Sequence, residues 1–276
     1  MGCRNILNAK MPMAGEKQIV SQSLRKQIAA LQQPRHRREQ GLFVLEGTRS
    51  VLDTAACFDT VYVIATQRWL DEYGHRLPKS LPTPMVARRE DMERMSSMST
   101  PQGVLAVCRI PQHTEVPRLT PDMLVLALDR VQDPGNLGTI IRLADWWGID
   151  TILASADTVD CFNTKVIQST MGAIARVRVV YVGSLADTLR RLGSEGMDVY
   201  GMFLGGEPLY EAPLSLGGVI VMGNEGNGIT DEVAATVTRR LTIPPYPAGA
   251  TTVESLNVAV ATAVTVAEFR RRASLA

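Results

Sequence analysis

Residues 128–148 read LDRVQDPGNLGTIIRLADWWG, and this stretch decides the fold of the segment around it. The run from Met123 to Leu128 is short, continuous and apolar, as in a fully buried parallel strand, and Asp133-Pro134-Gly135 stops it. From Leu137 the apolar residues recur at Ile140, Ile141 and Ala144, one face of a helix that ends near Gly148. Gly138 and Arg142 are four apart, so the spacing predicts them on the opposite face, with the absent side chain at 138 leaving room beside the guanidinium. The expectation is a strand, a loop and a helix that exposes one arginine.

Two later segments have the same character. Gly218–Thr230 reads GVIVMGNEGNGIT, a short strand followed by a loop in which Gly223, Gly226 and Gly228 permit close backbone approach and Glu225 offers a carboxylate to Arg142 or to a backbone donor. This glycine order is neither the dinucleotide fingerprint nor a P-loop, which argues against a generic nucleotide-binding α/β enzyme. Leu241–Glu268 reads LTIPPYPAGATTVESLNVAVATAVTVAE: a strand closing at Ile243-Pro244, a Pro- and Gly-rich loop, Ser255 as helix N-cap, and a helix from about Leu256. That helix is Ala- and Val-rich on nearly every side, which predicts burial on several faces, one of them against a second subunit, and leaves Asn257 as its odd polar residue.

Together these segments resemble the SpoU/TrmH family of RNA 2′-O-methyltransferases, in the SPOUT class. The first motif is matched by Asn136, Gly138 and Arg142, the second by Gly223, Glu225, Gly226 and Gly228, and the third by Ile243, Pro244, Ser255, Leu256, Asn257 and Val258. The loop from Pro245 to Glu254 departs from the pattern by being longer and more Pro-rich. The resemblance implies an α/β C-terminal domain at 121–276, a parallel sheet with helices on both faces and a trefoil knot. It also implies a homodimer through that knotted domain.

It further implies S-adenosylmethionine as cofactor, bound around Met222, Gly223, Ile243 and Leu256, and RNA as partner, ribosomal RNA favoured over transfer RNA. Arg142, Asn136, Glu225, Ser255 and Asn257 are the catalytic candidates, with Asn136 and Arg142 acting across the dimer interface. A guanidinium titrates above about 12, so deprotonating one at neutral pH costs on the order of 7 kcal/mol. Arg142 is therefore read as a positioned cation that binds RNA phosphate and stabilises the emerging alkoxide, oriented by Glu225, rather than as a general base. A catalytically silent RNA-binding relative would be expected to lose Arg142, Glu225 or Asn257, and all three are present. A SPOUT enzyme acting on a base nitrogen is disfavoured by the Ser255-Leu-Asn-Val258 motif.

The N-terminal part resembles the small L30e-like substrate-binding domain that precedes many SpoU catalytic domains, here 17–110, through its basic run and GLFVLEG at 41–47. Phe43–Leu45, Thr60–Ala65 and Val104–Cys108 read as strands with a helix after the first. Between Lys17 and Gln40 there are six Lys or Arg residues against one acid, Glu39, which makes Arg35, Arg37 and Arg38 candidate RNA contacts. Arg109–Asp122, with its prolines and no periodicity, is the linker.

With 276 residues and 45% hydrophobic content the chain can bury a core in each half. A net charge of +1 leaves RNA affinity to local patches. Four scattered cysteines without a C-x-x-C pair and three histidines predict neither zinc site nor disulfide framework. The N-terminus lacks an apolar leader, Ile6 stands where myristoylation wants Ser or Thr, and no run approaches a membrane span, which together predict a cytoplasmic protein.

Overall fold

The computed structural model describes residues 19–112, 115–247 and 253–274. The N-terminal leader reading, Lys17 and the centre of the Pro245–Glu254 loop lie outside the described residues. The chain divides into two compact units, Met1–Pro111 with Phe162–Gln168, and Gln112–Cys161 with Ser169–Ala276.

The first unit runs α1 (Gln22–Ala30), α2 (Pro34–Gln40), β1 (Leu42–Glu46), α3 (Thr48–Thr54), β2 (Thr60–Thr66), α4 (Gln67–Tyr73), β3 (Met85–Ala87), α5 (Arg89–Met95) and β4 (Val104–Arg109). Its sheet has the order β1-β4-β2-β3, antiparallel except for the β2–β3 pair. Successive side chains of a strand face opposite ways, so β1 sends Leu42 and Val44 into one core and Phe43 and Leu45 into another, and the sheet is covered on both sides. The three-residue β3 and the short α4 and α5 carry too little periodicity to be read from sequence.

One expectation fails here. Arg37 is fully buried, its Nη1 donating to the carbonyls of Leu31 at 2.8 Å and Gln32 at 2.9 Å where α1 ends. A cation at the negative end of a helix dipole, bonded to its orphan carbonyls, is a structural pin and is not presented to RNA. Arg35 and Arg38 are exposed, Arg35 pairing with Glu39 at 2.7 Å.

The second unit contains β5 (Leu124–Leu128), α6 (Pro134–Trp146), β6 (Thr151–Ser155), the end of α7 (Thr164–Thr170), β7 (Arg178–Val182), α8 (Leu185–Ser194), β8 (Val199–Pro208), β9 (Gly218–Met222), α9 (Asp231–Ala234), β10 (Arg239–Thr242) and α10 (Val258–Ala273). The sheet order is β10-β8-β9-β5-β6-β7 and every neighbouring pair is parallel. The central β5 and β9 are buried along their whole length, which is why they read as unbroken apolar runs. Val125, Ala127, Val219 and Val221 pack under α8 and α9 on one face. On the other, Phe269 of α10 meets Tyr200 of β8 edge-on at 5.0 Å.

α6 and α10 lie side by side and point the same way. Their starts are joined by Asn257 Nδ2 donating to Asn136 Oδ1 at 2.9 Å, and their ends by Arg270 donating to the Trp147 and Gly148 carbonyls at 2.9 and 3.1 Å. Three local expectations change. Asn257, not Ser255, caps α10, which starts at Val258; β10 ends at Thr242, one residue before Ile243; and Gly138 is buried, so it leaves no opening beside the exposed Arg142. No helix among the described residues is long and apolar enough to cross a membrane.

Candidate active site at the carboxyl ends of the parallel strands

A parallel sheet directs the carboxyl end of every strand to one edge, so the loops after β5, β9 and β10 gather there. At the first, Asp133 caps α6 by accepting from the Asn136 amide at 2.7 Å, and Pro134 occupies the first turn, where its missing N–H costs nothing. This places Asn136 at the mouth of the helix with its side chain available to the other loops.

At the third loop, Asn257 Oδ1 accepts from the backbone amides of Ala259 and Val260 at 3.0 and 3.3 Å. The cap settles which end of the amide faces where: Nδ2 must turn outward, and it donates to Asn136 Oδ1. Asn136 then has only its own Nδ2 to offer, and that donates to Glu225 Oε1 at 2.7 Å. One fixed donor-to-acceptor sequence, Asn257 to Asn136 to Glu225, thus joins all three loops. The positive ends of α6 and α10 converge on the same spot and favour the Glu225 carboxylate or another anion there.

The second loop is built by a residue that sequence reasoning passed over. Asn224 Oδ1 accepts from the amides of Gly226 and Asn227 at 2.9 and 3.1 Å, while its Nδ2 donates to the Arg130 carbonyl at 2.8 Å. Backbone bonds in both directions between Asn224 and Gly228, each 2.9 Å, close the loop so tightly that a Cβ on Gly223 would lie 2.3 Å from the Gly228 carbonyl carbon. Asp129, buried and also unforeseen, accepts from the Thr230 amide and hydroxyl at 2.7 and 2.8 Å and ties the loop after β5 to the start of α9. The available signals were an Asn inside a glycine loop, an Asx-turn former, and an acid that ends an apolar strand.

Arg142 is exposed on α6, and among the described residues no carboxylate pairs with it. Glu225 therefore holds Asn136, not the arginine as expected. Ser255 and Leu256 are exposed just before the Asn257 cap, and among the described residues nothing bonds Ser255 to the relay. Met222 is buried at the end of β9 with its carbonyl accepting from Asp129, and Ile243 is half-buried beyond β10. Among the described residues no group of three or more His, Cys, Asp and Glu side chains could hold a metal ion. Cys108 is no nucleophile either, since burial pushes its thiol up to about 12.

Residues 123–267 match the SpoU rRNA Methylase family, and residues 25–106 match an MRM3-like substrate binding domain. The 23S rRNA (guanosine(2553)-2′-O)-methyltransferase RlmP of Bacillus subtilis is 36% identical over 199 residues, 71% of this chain and 77% of that protein. Among solved structures, a TrmH-family protein from Porphyromonas gingivalis superposes with a TM-score of 0.81 at 38% identity, over 92% of this chain and 99% of its own. An AdoMet-bound rRNA methyltransferase from Sinorhizobium meliloti superposes with a TM-score of 0.79 at 28% identity, over 93% and 98% of the two chains. A family match across more than half of the chain, centred on the three loops that the amide relay joins, means that this protein belongs to the SpoU rRNA methylase family.

Proposed function

We propose that the protein methylates a ribose 2′-hydroxyl of ribosomal RNA with S-adenosylmethionine as donor. The observation that carries this reading is the relay from Asn257 through Asn136 to Glu225, a polar centre with fixed bond directions at the carboxyl edge of a parallel sheet. The rRNA activities named for the Bacillus and Sinorhizobium relatives support the substrate class.

The residues at this edge suit the cofactor. Leu204, in β8 beyond the part of that strand paired with β9, is 76% exposed and Leu256 ahead of α10 is 48% exposed, apolar surface of the kind an adenine ring covers. Gly205 beside Leu204 has no atom within 4 Å of where a Cβ would stand. Leu256, Ile243 and the loop that begins at Gly223 would hold S-adenosylmethionine, which supplies an electrophilic methyl group on a sulfonium. Asn136 uses its oxygen and one N–H within the relay, so it positions its neighbours. Glu225, whose Oε2 remains open among the described residues, accepts the hydrogen bond of the ribose 2′-hydroxyl and takes its proton as the new O–CH3 bond forms. Arg142 stabilises the alkoxide as it forms and binds the adjacent phosphate.

The first unit selects the RNA through exposed cations such as Arg35 and Arg38. Exposed apolar residues on the two paired helices of the second unit, Trp146 of α6 and Val260 of α10, support a homodimer formed through that C-terminal unit. The return of the chain from β10, at the sheet edge, to α10 beside α6 supports a knotted C-terminus. A soluble RNA-modifying enzyme of this kind works in the cytoplasm.

Calorimetry and steady-state kinetics of Arg142→Lys test the assignment. The wild-type chain should bind S-adenosylmethionine, and the variant should bind it equally while losing about a hundredfold or more in kcat/KM, because lysine keeps the charge and loses the planar fork. Near-normal turnover by the lysine variant would remove the clamp from the mechanism.

A further inference from the structure

Arg130 is a non-glycine residue with left-handed backbone, φ 58°, in the loop between β5 and α6. Such a conformation favours glycine or asparagine, and a side chain with a Cβ persists there only when its surroundings over-determine it. They do so here from both sides. The Arg130 amide donates to Ser155 Oγ at 2.9 Å, and Ser155 pairs with Thr158 Oγ1, which donates to the Leu128 carbonyl at 3.2 Å. The Arg130 carbonyl accepts from Asn224, the Val131 carbonyl accepts from the Val159 amide at 2.9 Å, and Asp129 is fixed by Thr230. Met171, the other such residue among the described residues, directly follows α7, where a left-handed helix end accounts for it. No helix end explains Arg130.

The side chain itself is not used up by the fold. Its Nε is shielded from solvent and among the described residues makes no hydrogen bond; its one charged neighbour there is Asp129, whose Oδ1 stands 3.9 Å away in a loose ion pair while Oδ2 accepts from Thr230, and the side chain as a whole is 34% exposed. A cation with spare donors is therefore carried on a rigid turn whose carbonyl is tethered to Asn224, the residue that shapes the Glu225 loop.

Building on the proposed activity, we infer that Arg130 is an RNA-positioning residue of this site, its guanidinium engaging a phosphodiester of the substrate strand next to the target nucleotide. The strained turn aims the guanidinium, and Asn224 couples that turn to the loop that presents Glu225.

Arg130→Gly separates the side chain from the backbone, since glycine suits the left-handed turn and the variant should melt at the same temperature as wild type or higher. Methylation of an unmodified 23S rRNA transcript should show KM raised about tenfold with kcat changed much less. A plot of log kcat/KM against log salt should lose about one unit of slope, while calorimetry with S-adenosylmethionine gives an unchanged Kd. Arg130→Lys, retaining a charge, should recover part of the KM loss. An unchanged KM and salt slope in Arg130→Gly would overturn the inference, as would a weakened S-adenosylmethionine Kd in its place, which would assign the cation to the cofactor carboxylate. Failure of the wild-type protein to methylate at all would instead overturn the proposed activity.

Discussion

At Asn257 the side-chain oxygen is committed to the first turn of α10 and the nitrogen to Asn136, so one substitution can remove the second role and keep the first. Asn257→Asp keeps a good N-cap, and thermal unfolding should shift by the equivalent of less than about 0.5 kcal/mol. It replaces the donor toward Asn136 with a carboxylate oxygen, so two acceptors face each other and kcat should fall about a hundredfold. A variant as active as wild type would show the relay to be ornamental. Asn136, Glu225 and Asn257 stood out in the sequence through their places in the three motifs that resemble the SpoU/TrmH family, since each residue alone reads equally well as a cap or a solvated turn. Which of them bond to one another was not. The pairing of Glu225 with Asn136 in place of Arg142 is decided by where α6 and α10 start, and Asp129 and Asn224 were hidden because their partners are 101 and 94 residues away.

At the scale of elements, α10 is fastened at its far end by a charged cluster. Glu268 receives both Arg271 and Arg272, and Arg272 also donates to the carbonyls of Leu209 and Tyr210 at 3.0 and 2.8 Å. Hydrogen bonding from Arg271, then Arg272, holds the Glu268 carboxyl down to about 2 from an ordinary 4.5. A depressed folded value means that the stabilisation is complete above about pH 4.5 and drains away as the pH falls toward 2. Glu268→Gln should therefore cost about 1–2 kcal/mol at pH 7 by denaturant unfolding and lose less stability than wild type between those pH values. An identical acid profile in the two proteins would mean that the cluster does not hold the helix. The strands of this unit were readable because burial on both faces leaves unbroken apolar runs. The start of α10 was misread because Leu256 looks like part of the apolar helix, whereas the cap geometry puts it outside. The short elements around β3 were silent because three residues cannot display a period.

Across the whole molecule, charge is sorted by function only once burial is known. The basic run before β1 contains one arginine that pins a helix end and others that face water, a distinction that composition does not carry. Replacing Arg35 and Arg38 together by Ala should leave the melting temperature near wild type and weaken RNA binding, with a salt slope up to about two units flatter. Arg37→Ala should instead destabilise the first unit by about 2 kcal/mol or more, because two charge-assisted bonds and a buried side chain are lost. Equal effects of the two changes on RNA affinity at matched stability would erase the distinction. The central claim, ribose methylation by the site that Asn136 organises, is tested most directly by incubating the purified protein with an unmodified 23S rRNA transcript and S-adenosylmethionine carrying a deuterated methyl group. Nucleosides are then analysed by mass spectrometry. One 2′-O-methylated nucleoside bearing the label is expected, and none when Asn136→Ala protein is used; label on a base, or no label in RNA from the wild-type reaction, would rule out ribose methylation by this site.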